Sequence, residues 1–193
     1  DANEELSGLG ISDSFTGCAG QRCMAASAMV AVGPVEHIIN QICEDARKVI
    51  PGVNLGSVIS KAAKERIEKY IGEAEAAGAK ILVDGRNTVV KGKEGGFYVG
   101  PTVIDFVKPD MSVAREEIFG PVISIMRAKD IDEALAIENA NPYGNAAAVF
   151  TQSGGTARYV MENASAGMIG VNIGVPVPRE PFHSEVGTKV NLE

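Results

Sequence analysis

The chain has 193 residues, 45% of them hydrophobic and 22% charged, enough to bury a substantial core in one domain or in one domain with a small appendage. Its net charge of −7, without any block of like charge, argues against broad binding to nucleic acid or acidic membranes. No apolar run approaches the roughly 20 residues of a membrane-spanning helix, no basic-then-apolar signal peptide opens the chain, and a first residue of Asp1 rather than Met makes a trimmed fragment the expectation.

Residues 1–17 read as a helix with acidic residues from Asp1 to Glu5 in its first turn. Residues 18–23 read as a turn, and "SAMVAVG" (27–33) as a buried strand. Pro34 is expected at the first position of a helix. Its apolar stripe is Val35, Ile38, Ile39, Ile42, Ala46 and Val49. Ser60 caps a second helix over about 60–77, striped by Ala63, Ile67, Tyr70, Ile71 and Ala74 and ended by Gly78. Glu65 and Lys69 are spaced for an i,i+4 pair on its wet face. "AKILVDG" (79–85) and "GFYVGPTVIDF" (96–106, interrupted by Pro101) are strand candidates, with "KGKEGG" as the exposed hairpin tip between them.

The chain then alternates. "PVISIM" is a strand, and Asp130 with Glu133 starts a helix in the manner of a capping box. "AAAVFT" is a strand, Ala157, Val160, Met161 and Ala164 stripe another helix, and "MIGVN" is a strand again. Strand–helix–strand alternation requires parallel pairing through right-handed crossovers. The expected class is α/β: an open, mostly parallel twisted sheet with helices on both faces.

The stretch with chemistry in it is "GQRCMAAS" (20–27). A cysteine becomes a nucleophile when its thiolate is favoured, and Arg22 beside Cys23 on a small-residue turn supplies both a positive neighbour and room for backbone amides to approach the sulfur. The same amides suit an oxyanion formed by attack on a carbonyl. The alternative is a small buried cysteine at a strand edge. Cys43 lies beside the helix stripe and reads as core or boundary, and Cys18 is a possible but geometrically undistinguished redox partner for Cys23. The three cysteines fit neither a disulfide framework nor paired zinc-ligand spacing, so no metal and a reducing cytoplasm are expected. A cysteine hydrolase needs a histidine base; of the two histidines, His37 reads as a solvated helix residue and His183 lies in a Pro-rich tail.

"AGQRCMA" resembles the active-site segment of the aldehyde dehydrogenase superfamily. "EEIFGPV" (116–122), "NPYGNAAAVFT" (141–151) and "AGMIGVN" (166–172) occur in that family's order and approximate spacing, and "GGFYVGPTVI" (95–104) and the opening "DANEE" are family-like too. Arg22 and "NIGVPVPREPF" (172–182) resemble the branch that oxidises malonate or methylmalonate semialdehyde and passes the acyl group to coenzyme A.

The resemblance implies a role for each matched residue. Cys23 is the nucleophile, giving a thiohemiacetal and then a thioester, with its own N–H as one oxyanion donor. Glu117 grips the nicotinamide-side ribose of NAD, and Phe119 packs near the nicotinamide; on their own they read as a surface acid and a core aromatic. Asn141 to Gly144 is a structural turn. Arg22 forks onto the substrate carboxylate, or only tunes Cys23 or pairs with a structural acid. Ile173, after Asn172, borders the substrate. The product is acetyl-CoA or propionyl-CoA with release of CO₂.

It further implies that residues 1–182 are the catalytic domain, that residues 183–193 are a divergent or cloning-derived tail, and that the NAD-binding domain is absent from this chain. With that domain go the asparagine of the oxyanion hole and any glutamate base; no GxGxxG occurs here. The isolated chain is then expected to be inactive, and the full-length protein a homodimer or homotetramer. Two alternatives stand beside this reading: a generic hydrolytic aldehyde dehydrogenase, and a truncated module that folds and associates without catalysis.

Overall fold

The computed structural model describes residues 1–174. The first helix, α1 (Glu4–Thr16), starts later than the acidic run suggests, because the Asn3 side chain caps it by accepting from the Leu6 N–H. A tight turn follows (Gly17–Gly20), with Cys18 and Ala19 both in left-handed backbone. Strand β1 (Ala28–Val32) leads to α2 (Glu36–Lys48). Pro34 lies just outside that helix rather than at its first position: Gly33 turns the chain at positive φ, and Val35 is the cap.

Helix α3 (Lys61–Ala76) is capped by Ser60, whose hydroxyl accepts from the Ala63 N–H. Its wet face does carry i,i+4 pairs, but Glu65 pairs with Lys61 and Lys69 with Glu73, so the expected Glu65–Lys69 pair is not the one formed. Strand β2 (Lys80–Val83) runs antiparallel to β3 (Thr102–Asp105). The second strand covers only the last part of 96–106, because Pro101 offers no N–H to a ladder and pairing begins at Thr102. "KGKEGG" is an exposed part of the long β2–β3 connection rather than a hairpin tip.

One short helix went unanticipated, α4 (Ser112–Arg115), a single turn too brief for periodicity to mark. Strand β4 (Val122–Ala128), α5 (Ile131–Ala140), β5 (Ala146–Val149), α6 (Gly154–Asn163) and β6 (Met168–Val171) complete the alternation. Asp130 caps α5 by accepting from the Glu133 N–H, and the Glu133 carboxylate reaches back to the Lys129 N–H.

The strands form a four-stranded sheet in the order β1–β4–β3–β2 and a parallel pair β5–β6. All pairs but β2–β3 are parallel. Alternation along β3 and β4 sends side chains to two cores. Val103, Ile123 and Ile125 meet Ile11 and Phe15 of α1 and Ile38, Ile39 and Ile42 of α2. Ile104, Val122 and Met126 meet Ile67, Ile71 and Ala74 of α3. Helices therefore cover both faces of the sheet. Ile67 and Ile71 are fully buried, and each such isoleucine contributes on the order of 1.5–3 kcal/mol.

Candidate active site

Parallel pairing puts the starts of β1 and β4 at one end of their sheet, and the start of β5 and the end of β6 at opposite ends of their pair. The 18–23 turn and residues 24–27 precede β1, residues 116–121 precede β4, residues 141–145 precede β5, and residues 172–174 follow β6.

Cys23 is exposed at the end of its turn, which removes the buried strand-edge reading. Three braces hold that turn. Gln21 reaches the loop before α3, where its Oε1 accepts from the Ile59 N–H (2.9 Å) and its Nε2 donates to the Ser57 carbonyl (3.4 Å). Arg22 folds back over Gly17, and its Nη2 donates to the carbonyls of Asp13 (2.9 Å) and Ser14 (3.0 Å) at the C-terminal end of α1. Asn145, just before β5, donates from Nδ2 to the Cys23 carbonyl at 3.3 Å. The Cys23 N–H donates to no protein acceptor among the described residues, which leaves it free for an oxyanion.

Arg22 therefore pairs with backbone carbonyls, not with a structural acid. Its Nε is buried without a protein acceptor, and Nη1 makes no hydrogen bond among the described residues. Glu117 is exposed and its carboxylate makes no hydrogen bond or ion pair among the described residues. Phe119 is 36% exposed and sits in left-handed backbone, so it is not a core aromatic. Its ring borders an open groove of about 610 Å³ shared with Cys18, Gln21, Ser57, Ile59 and Phe97. Ile173 is 43% exposed. Asn172, also left-handed, spends both ends of its amide on the Thr151 backbone, so its side chain is structural. The Asn141–Gly144 turn is structural too: Asn141 Oδ1 accepts from the Tyr143 N–H.

Of the other thiols, Cys43 is 4% exposed in the α2 core, and burial pushes its pKa up. Cys18 is exposed. His37 is exposed, as expected. His183, residues 175–182 of the "NIGVPVPREPF" segment and the 183–193 tail lie outside the described residues. No group of three or more His, Cys, Asp or Glu side chains is placed to hold a metal among the described residues. Nor is any described helix long and apolar enough to cross a membrane.

Of the bracing residues only Arg22 was assigned a role from sequence, and not this one. Gln21 and Asn145 sit inside quoted motifs without a role. Ser14 carried no signal beyond being a polar residue on the packed side of α1.

What results is an open α/β domain whose separate segments converge on one exposed cysteine. The aldehyde dehydrogenase family model matches residues 1–189, and the chain belongs to that family. It is 43% identical over 179 residues to the mitochondrial methylmalonate-semialdehyde/malonate-semialdehyde dehydrogenase [acylating] of Homo sapiens, covering 90% of this chain and 34% of that one. A methylmalonate-semialdehyde dehydrogenase from Oceanimonas doudoroffii superposes with a TM-score of 0.89 at 38% identity, over 92% of this chain and 38% of that one. A protein of Sinorhizobium meliloti solved in complex with NAD does so with a TM-score of 0.94 at 34% identity, over 98% and 40%. The chain thus spans about a third of the length of the curated relatives it matches.

The expectation of a cytoplasmic protein is overturned by these relatives: those of human, cattle and Arabidopsis are mitochondrial. Free thiols indicate a reducing compartment but do not say which one.

Proposed function

We propose that the chain is the cysteine-bearing part of an NAD-dependent semialdehyde dehydrogenase that acylates coenzyme A, with malonate or methylmalonate semialdehyde as substrate. The observation that carries this reading is the exposed Cys23 on a turn braced from three directions, with its own N–H unpaired. The acylating relatives support the choice of acceptor.

In this reading the Cys23 thiolate attacks the aldehyde carbon. The carbonyl oxygen becomes an alkoxide held by the Cys23 N–H. An aldehyde has no leaving group, so covalent capture creates the centre from which hydride can depart. Bound NAD supplies the hydride acceptor, and loss of hydride leaves a thioester on Cys23. Two side chains of the segment before β4 would hold that cofactor, Phe119 at the groove and Glu117 outside its lining. Glu117 has a free carboxylate to accept two ribose hydroxyls, and Phe119 offers a ring face to the nicotinamide. Arg22, with one nitrogen fixed on α1, keeps Nη1 for the substrate carboxylate. Ile173 flanks the aldehyde. The carboxylate leaves as CO₂ and its electron pair stays on the α-carbon, which takes a proton; coenzyme A gives up its thiol proton, its sulfur takes the acyl group, and the Cys23 thiolate is released. The whole protein works as a homodimer or homotetramer.

The test is NADH formation by the whole polypeptide that carries this domain, from malonate semialdehyde, with and without coenzyme A. Coenzyme A-dependent turnover with an acyl-CoA product, abolished in Cys23→Ser, is the expected result. Equal turnover to a free acid without coenzyme A would place the chain with the hydrolytic members. No turnover under either condition overturns the enzymatic reading.

A further inference from the structure

Ser14 is fully buried near the end of α1, and its hydroxyl makes two short bonds. The Oγ–H donates to the Gly174 carbonyl at 2.7 Å, and the oxygen accepts from the Ala26 N–H at 2.9 Å. The Ser14 carbonyl accepts from Arg22 Nη2. One residue therefore ties the position before Cys23, a position three residues after it, and the backbone next to Ile173.

None of these bonds is required by α1 itself. A serine inside a helix ordinarily returns its hydroxyl to a carbonyl of the preceding turn. Thr16 does so on the same helix, donating to the Ser12 carbonyl. Ser14 instead spans 12 residues in one direction and 160 in the other. The Ala26 N–H and the Gly174 carbonyl have no other hydrogen-bond partner among the described residues.

We infer that Ser14 is a positioning residue, which sets the height of the Cys23 turn against the Ile173–Gly174 wall through the Ala26 N–H and the Gly174 carbonyl. The inference rests on Cys23 being the nucleophile. A fixed spacing between sulfur and wall decides whether an aldehyde carbon meets the thiolate, and displacement of about 1 Å in such a site costs on the order of 100-fold in rate. Cys18, nearer α1 on the same turn, provides an internal reference.

Ser14→Ala removes both bonds and keeps the backbone bond to Arg22. With the fold confirmed by circular dichroism, the rate of iodoacetamide modification of Cys23 relative to Cys18 is expected to fall roughly tenfold, because the segment that presents the Cys23 sulfur loses its ties to Ala26 and Gly174. In the whole polypeptide kcat falls while the KM for NAD holds, since Ser14 lies outside the Phe119 groove. An unchanged or raised Cys23:Cys18 ratio overturns the inference. Should Ser14→Ala fail to fold, amide exchange in the unmodified chain decides: the Ala26 N–H exchanges at least tenfold more slowly than the unpaired Cys23 N–H, and equal exchange overturns the inference. If the labelling and exchange results hold but the whole polypeptide turns over no aldehyde, the proposed activity has failed and the positioning role has not.

Discussion

Gly20 and Gly120 meet backbone to backbone: a Cβ placed on Gly20 would lie 1.9 Å from the Gly120 carbonyl oxygen. Gly20 also holds a φ of +68. This contact presses the Cys23 turn against the segment that carries Glu117 and Phe119, so any side chain at position 20 separates the nucleophile from the groove. Gly20→Ala combines left-handed strain with a backbone collision that no rotamer change relieves. It is expected to cost about 3–5 kcal/mol, measured by urea unfolding.

The sequence foretold the alternation of strands and helices because each apolar stripe, such as Ile67–Ile71–Ala74, is a local pattern that one core face reads out. Motifs singled out Cys23, Glu117 and Phe119, and the structure exposes all three side chains. The sequence could not foretell the braces. Asn145 to Cys23 spans 122 residues and Ser14 to Gly174 spans 160, and neither pair has a periodic signature. The Glu65–Lys69 error has the same origin: Lys61, Glu65, Lys69 and Glu73 form one ladder of candidate pairs, and spacing alone does not choose among them. The split into a four-stranded sheet and a separate β5–β6 pair is likewise a tertiary outcome.

The three thiols are predicted to separate cleanly. In native protein at pH 8, Cys23 and Cys18 are alkylated at least about 100-fold faster than Cys43, which is shielded by the α2 core and kept protonated by burial. In 6 M guanidinium the difference vanishes. Mass spectrometry of timed quenches measures it. Fast native labelling of Cys43 would contradict the packing of α2 against the sheet.

At the far end of the sheet Arg127 holds the buried Asp105 carboxylate with two bonds, Nε at 3.0 Å and Nη2 at 2.7 Å, and lies over the Phe106 ring at 5.2 Å. Asp105 is 3% exposed. Arg127→Met strands that carboxylate and is predicted to cost about 3–5 kcal/mol. Adding Asp105→Asn recovers much of the loss, because a neutral amide no longer needs the guanidinium. A double-mutant cycle in urea reads the coupling, and additive losses would show that the pair is not coupled.

Arg86 grips the Asp84 carboxylate and also reaches Glu75 at 2.8 Å. Its hydrogen bonds hold Asp84 below the ordinary carboxylate value of 3.8. The unfolded chain therefore takes up this proton before the folded one does, and the stabilisation is lost as pH falls below about 4. Because Asp84 is partly exposed, the amount is small, under about 1 kcal/mol. Arg86→Ala is expected to flatten the acid limb of stability between pH 4 and pH 2 while lowering stability slightly at pH 7. An unaltered acid limb would assign the acid sensitivity to other carboxylates.

Arg22 has two jobs that one substitution can separate. Its Nη2 bonds to the Asp13 and Ser14 carbonyls, so Arg22→Ala loosens the end of α1 and costs about 1–2 kcal/mol of stability. That loss slows the whole polypeptide toward every aldehyde alike. A carboxylate held by Nη1 adds a second loss confined to semialdehydes. A charge-assisted bond of about 1.5–3 kcal/mol corresponds to a fall of roughly 10- to 150-fold in relative kcat/KM. The measurement is therefore the ratio of kcat/KM for malonate semialdehyde to that for propanal, in wild type and in Arg22→Ala. The ratio is expected to drop at least tenfold. An unchanged ratio, with both substrates slowed equally, would leave Arg22 as a clamp on α1 and move carboxylate recognition elsewhere.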